Sequence, residues 1–167
     1  MRCLLLACLT AALLAGAAGA AAPRAPRTGV VAPGKSFAGV KIGMTEAQVR
    51  AHWGSRFGVC DNCAEPTWYY TFVAFDPHGL GVRFRNKRVF SVFTLGAPRG
   101  WRTDRGLRIG DPAPRTVQLY GRAPIIDCPG YSLYQLLERG QLLLVYVSAG
   151  KVHGLGLAGR MLDPCSS

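Results

Sequence analysis

The chain has 167 residues, 20 lysines and arginines against nine acidic residues, and a formal charge of +11; arginine outnumbers lysine sixteen to four. So few acids leave no motif-spaced carboxylate pair, there is no Gly-x-Ser-x-Gly, and the 21 glycines form no phosphate loop, which leaves an enzymatic reading without support. A surface this basic concentrates anions and responds to salt, although an Ala-, Gly- and Arg-rich composition also yields such a charge with no function attached.

The chain opens MRCLLLACLTAALLAGAAGAAAPRAP, in which Arg2, an apolar run from Cys3 to about Leu14, and Ala-x-Ala sites near Ala20 to Ala22 form a secretory signal over residues 1–22. No later stretch reaches roughly 18 apolar residues without charges, so no membrane span is expected in the mature form. Removing the signal leaves 145 residues, enough for one domain with its own core. Residues 23–36, PRAPRTGVVAPGKS, read as a flexible Pro/Gly/basic leader, with the folded part starting near Phe37.

From there the chain reads as a degenerate duplication, residues 37–100 and 101–167, forming one compact unit. GVKIGMTEAQVRAHWG (39–54) matches GLRIGDPAPRTVQLYG (106–121) at an offset of 67, and VRFRNKRVFSVFTL (82–95) runs against VYVSAGKVHGLGLA (145–158) at an offset of 63. One mismatch stands out: Val49 and Val117 are 68 apart. In the first copy Thr45 caps a helix, Gln48 completes a capping box, Met44 and Val49 form a hydrophobic staple, and Gly54 stops it. In the second, Asp111 is the expected cap with Pro112 at the first helical position.

Each helix is followed by an aromatic strand, TWYYTFV (67–73) and YSLYQLL (131–137), then by a hairpin. The hairpins turn at Asn86-Lys87 and at Ala149-Gly150. The fold class expected is therefore α+β: two repeats, each a short helix followed by an antiparallel three-stranded meander, with the helices packed on one face of the sheet.

The alternation in the first hairpin sends Val82 and Phe84 to one face and Arg83 and Arg85 to the other; Tyr146 is the counterpart of Arg83 in the second. Trp68 and Tyr70 share a face of their strand. With Arg88, these residues (Trp68, Tyr70, Arg83, Arg85, Arg88 and Tyr146) form a candidate binding surface, because Trp, Tyr and Arg dominate protein interfaces.

Residues 42–54, IGMTEAQVRAHWG, resemble the superfamily of the β-lactamase inhibitory protein and the small outer-membrane assembly lipoproteins, through Gly43-Met44-Thr45, Gln48-Val49 and Gly54. The resemblance implies helices on an antiparallel sheet and protein binding through the exposed sheet face; it carries no target and no contact residue.

Four cysteines remain after the signal: Cys60, Cys63, Cys128 and Cys165. An even count in an exported chain favours two disulfides, with three pairings open. The preferred pairing is Cys60–Cys63, closing a local loop, and Cys128–Cys165, tying the tail to the second repeat. A reactive Cys-x-x-Cys sits at a helix N-terminus, which lowers the thiol pKa; this one follows a helix, precedes a strand, and has Asp61 within it and Glu65 beyond it. Zinc needs two more ligands than Cys60 and Cys63 supply, and His52, His78 and His153 are scattered. The expected function is a secreted, non-enzymatic interaction module binding a protein or envelope component, with no metal and no cofactor. The alternatives are an extracytoplasmic thiol-disulfide oxidoreductase using Cys60 and Cys63, and a cationic binder of an anionic cell-surface polymer. Export argues against a nucleic-acid partner.

Overall fold

The structure, a computed structural model, describes residues 23–60, 63, 65–71, 79–96, 99–160 and 165. The secretory-signal reading of residues 1–22 lies outside them, as do Asp61, His78 and the last two residues of the strand expected over 67–73.

Strands β1 (Gly29–Ala32) and β2 (Ser36–Phe37) precede helix α1 (Glu46–Trp53), which leads into β3 (Gly58–Cys60), β4 (Thr67–Thr71), β5 (Gly79–Arg85) and β6 (Arg88–Leu95). Strand β7 (Trp101–Thr103) then opens a second series: α2 (Pro114–Tyr120), β8 (Ile125–Cys128), β9 (Tyr131–Glu138), β10 (Gln141–Ser148) and β11 (Lys151–Ala158). Two sheets result, one of eight strands in the order β3-β4-β5-β6-β11-β10-β9-β8 and one of three in the order β2-β1-β7. Every ladder in the large sheet is antiparallel, and β1 pairs with β7 in parallel.

This overturns the expected fold class. The molecule is mostly sheet, each half supplies four strands rather than three, and the halves join edge to edge through β6 and β11. The extra strands, GVC and IIDC, are three and four residues long and pair on one side only, too short to show a period-two pattern. The leader expected to be flexible is also partly ordered: Gly29–Ala32 is a strand, and Val31 within it is fully buried.

The 67 and 63 offsets recur in the backbone bonds. Gly43 donates to the Val89 carbonyl (2.7 Å) and Gly110 to that of Val152 (2.8 Å); Val89 donates to Met44 and Val152 to Asp111, both at 2.8 Å. Each helix-leading turn is thus bonded to the closing hairpin of its own half. The mismatch of the valines also resolves: Val49 is buried in α1, whereas its offset-67 counterpart Thr116 is buried in α2 and Val117 is 37 % exposed. The buried position is retained while its residue type changes.

Helix α1 starts at Thr45, whose N–H donates to the Gln48 side chain (2.9 Å) while its hydroxyl accepts from the Gln48 N–H (3.3 Å). Gly54, at φ 78°, ends it in a conformation that disfavours a side chain. Helix α2 does not begin where the sequence suggests. Asp111 gives its carboxylate to the Arg108 N–H (2.9 Å) and its carbonyl to Val152, Pro112 bridges Lys151, and the helix starts two residues later with Pro114 at its first position. The Asp111 carboxylate that would have capped is held by Arg108 in the same turn, and its carbonyl by the hairpin.

The helices and the small sheet cover one face of the large sheet. An aromatic file runs through this layer: Trp101 lies 5.0 Å from Phe37, Phe37 6.3 Å from Trp53, Trp53 5.4 Å from Tyr70, and Phe57 stacks on Trp68 at 4.0 Å. Such pairs each add about 0.5–1.5 kcal/mol beyond burial. The Trp53 indole N–H donates to the Ala38 carbonyl (3.1 Å), and the Tyr70 hydroxyl donates to that of Gly54 (3.3 Å).

Burial pushes the Tyr70 phenol up to about 12, an effect the nearby Arg50 charge partly offsets. The unfolded chain ionises this group near 10. Tyr70 therefore contributes its full stability below pH 10 and loses it as the pH climbs toward 12. In an alkaline titration, part of the tyrosinate absorbance is expected to rise only with loss of the circular dichroism signal. Complete ionisation of all six tyrosines near pH 10 with the structure intact would contradict this.

Candidate interaction surface

The opposite face of the large sheet is built differently. Cross-strand register sets Tyr69, Gly81, Phe93, Gly156 and Leu144 in one row, and Gly79, Leu95, Gly154, Tyr146 and Leu133 in the next. Gly79 and Gly81 on β5 and Gly154 and Gly156 on β11 therefore flank β6, which presents Phe93 and Leu95 at the middle of this face. A side chain at Gly81 or Gly154 would displace a neighbour. A Cβ on Gly81 would lie 2.2 Å from the Phe93 ring, and one on Gly154 would lie 2.4 Å from the Thr94 carbonyl oxygen.

Larger side chains stand between and beside these glycines. Tyr69 meets Phe93 edge-on at 6.2 Å, the Arg83 guanidinium lies 5.4 Å from the Phe93 ring, and Tyr131 lies 5.7 Å from Tyr146. Burial holds the Tyr146 hydroxyl well above the ordinary tyrosine range; the Arg83 charge opposes that effect, and the phenols of Tyr131 and Tyr69 add to it. Strands β5 and β10 are three positions apart in the sheet, roughly 14 Å if it were flat. Tyr69, Arg83, Tyr131 and Tyr146 rise on this face from β4, β5, β9 and β10.

The sequence-derived candidates divide between the two faces. Trp68 and Tyr70 are 6 % and 2 % exposed and belong to the aromatic file beneath the helices, so the expectation that they form a binding surface is corrected: β4 turns them inward and presents Tyr69 outward. Arg83 and Tyr146 share the glycine-bearing face. Arg85 pairs with Glu65 (Nε–Oε1 3.0 Å) and lies over Phe90, and Arg88 donates to the Gly43 carbonyl (3.0 Å), so both brace the β5–β6 hairpin tip. The residues missed were Tyr69, Phe93 and the glycines. A legible signal existed: Gly-x-Gly occurs in GLGV (79–82) and again in GLGL (154–157), and glycines two apart on a strand lie on one face.

The cysteines are joined as Cys60–Cys63 and Cys128–Cys165. Cys60 ends β3 and Cys128 ends β8, the two edge strands of the large sheet. Each exposed edge is thus held by a bridge, where an open edge would template association. The element that follows Cys63 is strand β4, so no helix N-terminus meets this pair. Among the described residues no group of three or more His, Cys, Asp or Glu is arranged to hold a metal, and no helix is long and apolar enough to cross a membrane.

No family model matches the chain, and no curated protein matches it. Among solved structures it is similar to a DUF4309 family protein, YjgB, from Bacillus subtilis, at 12 % identity and a TM-score of 0.49, over 77 % of this chain and 86 % of that one.

Proposed function

We propose that this chain is an exported, non-catalytic interaction module that binds a protein or envelope component through the glycine-bearing face of its large sheet. The observation that carries the reading is the placement of Arg83, Tyr69, Tyr131 and Tyr146, from four strands, on one face of the large sheet. Tyr and Arg supply large contact area with a polar handle and are the types enriched where binding energy concentrates. Phe93 packed across Gly81 and Leu95 packed against Gly154 fix the shape of this face. Two disulfides suit an oxidising compartment, in agreement with an export signal at residues 1–22. The resemblance of residues 42–54 to proteins that bind partners through an exposed sheet face points the same way.

The test is capture of envelope components on immobilised protein beginning at Pro23. Tyr69→Ala and Arg83→Glu are expected to lower capture about tenfold or more, the range of an interface residue that matters, while Ala47→Glu on the exposed side of α1 leaves it unchanged. Equal capture by all four proteins would refute the assignment of this face.

A further inference from the structure

We propose that the β7 crossover carries a second, separate site, a groove for an oxyanionic ligand bearing two or more phosphate groups, held by Arg99, Arg102 and Arg108. The proposal does not depend on the reading of the sheet face.

Strand β7 is followed by a tight return. Thr103 donates to the Leu107 carbonyl (2.8 Å), the Leu107 N–H donates to the Thr103 hydroxyl (3.1 Å), and Ile109 donates to Trp101 (3.2 Å). Trp101 and Leu107 are fully buried and Thr103 nearly so, which anchors the return to the core. Its exposed side chains are Arg102, Asp104, Arg105 and Arg108. Arg102 and Arg108 are direct partners in an antiparallel bridge, and both are exposed. Residues so paired have Cβ atoms about 4.5–5.5 Å apart, and like charges there repel.

Asp104, the acid nearest in sequence to Arg102, pairs instead with Arg139. Four other arginines are matched to carboxylates: Arg50 with Glu46, Arg85 with Glu65, Arg105 with Glu138 and Arg139 with Asp104. Asp111, the acid nearest in sequence to Arg108, is engaged by the Arg108 backbone N–H. Among the described residues, the guanidinium groups of Arg99, Arg102 and Arg108 make no hydrogen bond or ion pair. The three line a cavity of about 290 Å3 together with Gly100, Trp101 and Ile109, and none of its described lining residues is acidic. Trp101, in the same lining, has a buried indole N–H that finds no acceptor.

A folded return that holds three unpaired guanidinium groups around one cavity is arranged for a ligand with several oxyanion oxygens, since guanidinium binds phosphate through paired N–H donors. The cavity is near the lower bound of small-ligand sites, about 300 Å3, and larger than one phosphate requires. Three guanidinium groups around a cavity of that size suit two or more phosphates rather than one.

The experiment is calorimetric titration with tripolyphosphate and with orthophosphate at low ionic strength, together with thermal melting. The intact chain is expected to bind tripolyphosphate at least about tenfold more tightly than orthophosphate, and Arg102→Gln/Arg108→Gln to weaken tripolyphosphate about tenfold or more, the effect of losing charge-assisted bonds. Arg56→Gln/Arg122→Gln, which removes the same charge at exposed positions outside the cleft, is expected to stay within about twofold, as screened charges do. Without phosphate, the cleft variant is expected to melt at or above the temperature of the parent, because the facing like charges are gone. Equal losses in both double variants, undiminished binding by the cleft variant, orthophosphate binding as tight as tripolyphosphate, or a lower melting temperature of the cleft variant would each overturn the proposal.

Discussion

Replacing Trp53 by alanine is expected to cost about 3–5 kcal/mol of folding stability, the range for removing a buried tryptophan. Trp53 is 2 % exposed and sits at the centre of the aromatic file, between Phe37 from the small sheet and Tyr70 from the large one. Its loss would leave a cavity where three elements meet, and the surrounding backbone, held by the Gly43–Val89 and Gly54–Arg50 bonds, has little freedom to close it. Trp53→Phe separates the two contributions of the ring. It keeps most of the packing and removes the N–H donated to Ala38, for an expected cost of about 1–2 kcal/mol from that bond and its unpaired carbonyl. Urea unfolding midpoints measure both. A midpoint for Trp53→Ala within error of the parent would mean that α1 does not pack through Trp53.

Removing the Cys128–Cys165 bridge as Cys128→Ala/Cys165→Ala is expected to cost about 3–4 kcal/mol, because the bridged residues are 37 apart and the closed loop is long. Cys60 and Cys63 are three apart, and their bridge contributes less by the same argument, about 2 kcal/mol at most. The asymmetry gives the two bridges different signatures in denaturant. It also bears on the oxidoreductase alternative. With a strand rather than a helix after Cys63, no dipole stabilises a thiolate. Thiol counting after incubation with glutathione is expected to find both bridges intact. Selective reduction of Cys60–Cys63, with a thiol titrating well below the ordinary cysteine range, would transfer support to redox chemistry.

Local chemistry was the legible part of this molecule. The capping box of α1 is read from Thr45 and Gln48 because its bonds join residues three apart. The hairpin turns at Asn86-Lys87 and Ala149-Gly150 are read the same way: all four residues have positive φ, as two-residue turns that match strand twist require. The readings failed where a distant partner decides the outcome. Helix α2 starts at Pro114 rather than at Pro112, where the hairpin bonds the Asp111 carbonyl and pairs Pro112 with Lys151. GVVA, between Pro26 and Pro33, looks like a loop and is a strand because β2 and the distant β7 pair with it on either side.

The site was legible in composition and less so in direction. Arg83 and Tyr146 alternate correctly with their buried neighbours, and both lie on the face opposite the helices. Trp68 and Tyr70 have the residue types of a binding surface, but a bulky aromatic on a strand can face either layer. The register of β4 against Val82 and Leu80 sends them into the core. Tyr69, between them, takes the outward position.

The most direct test of the binding role is site-specific photo-crosslinking in the envelope of the exporting cell, with a benzophenone amino acid placed singly at four positions. Tyr69 and the exposed Leu137 lie on the glycine-bearing face, whereas Ala47 and Gln118 are exposed on the two helices. A shared adduct from Tyr69 and Leu137, absent from Ala47 and Gln118, is the predicted result. Adducts from the helix positions alone, or from none of the four, would contradict it.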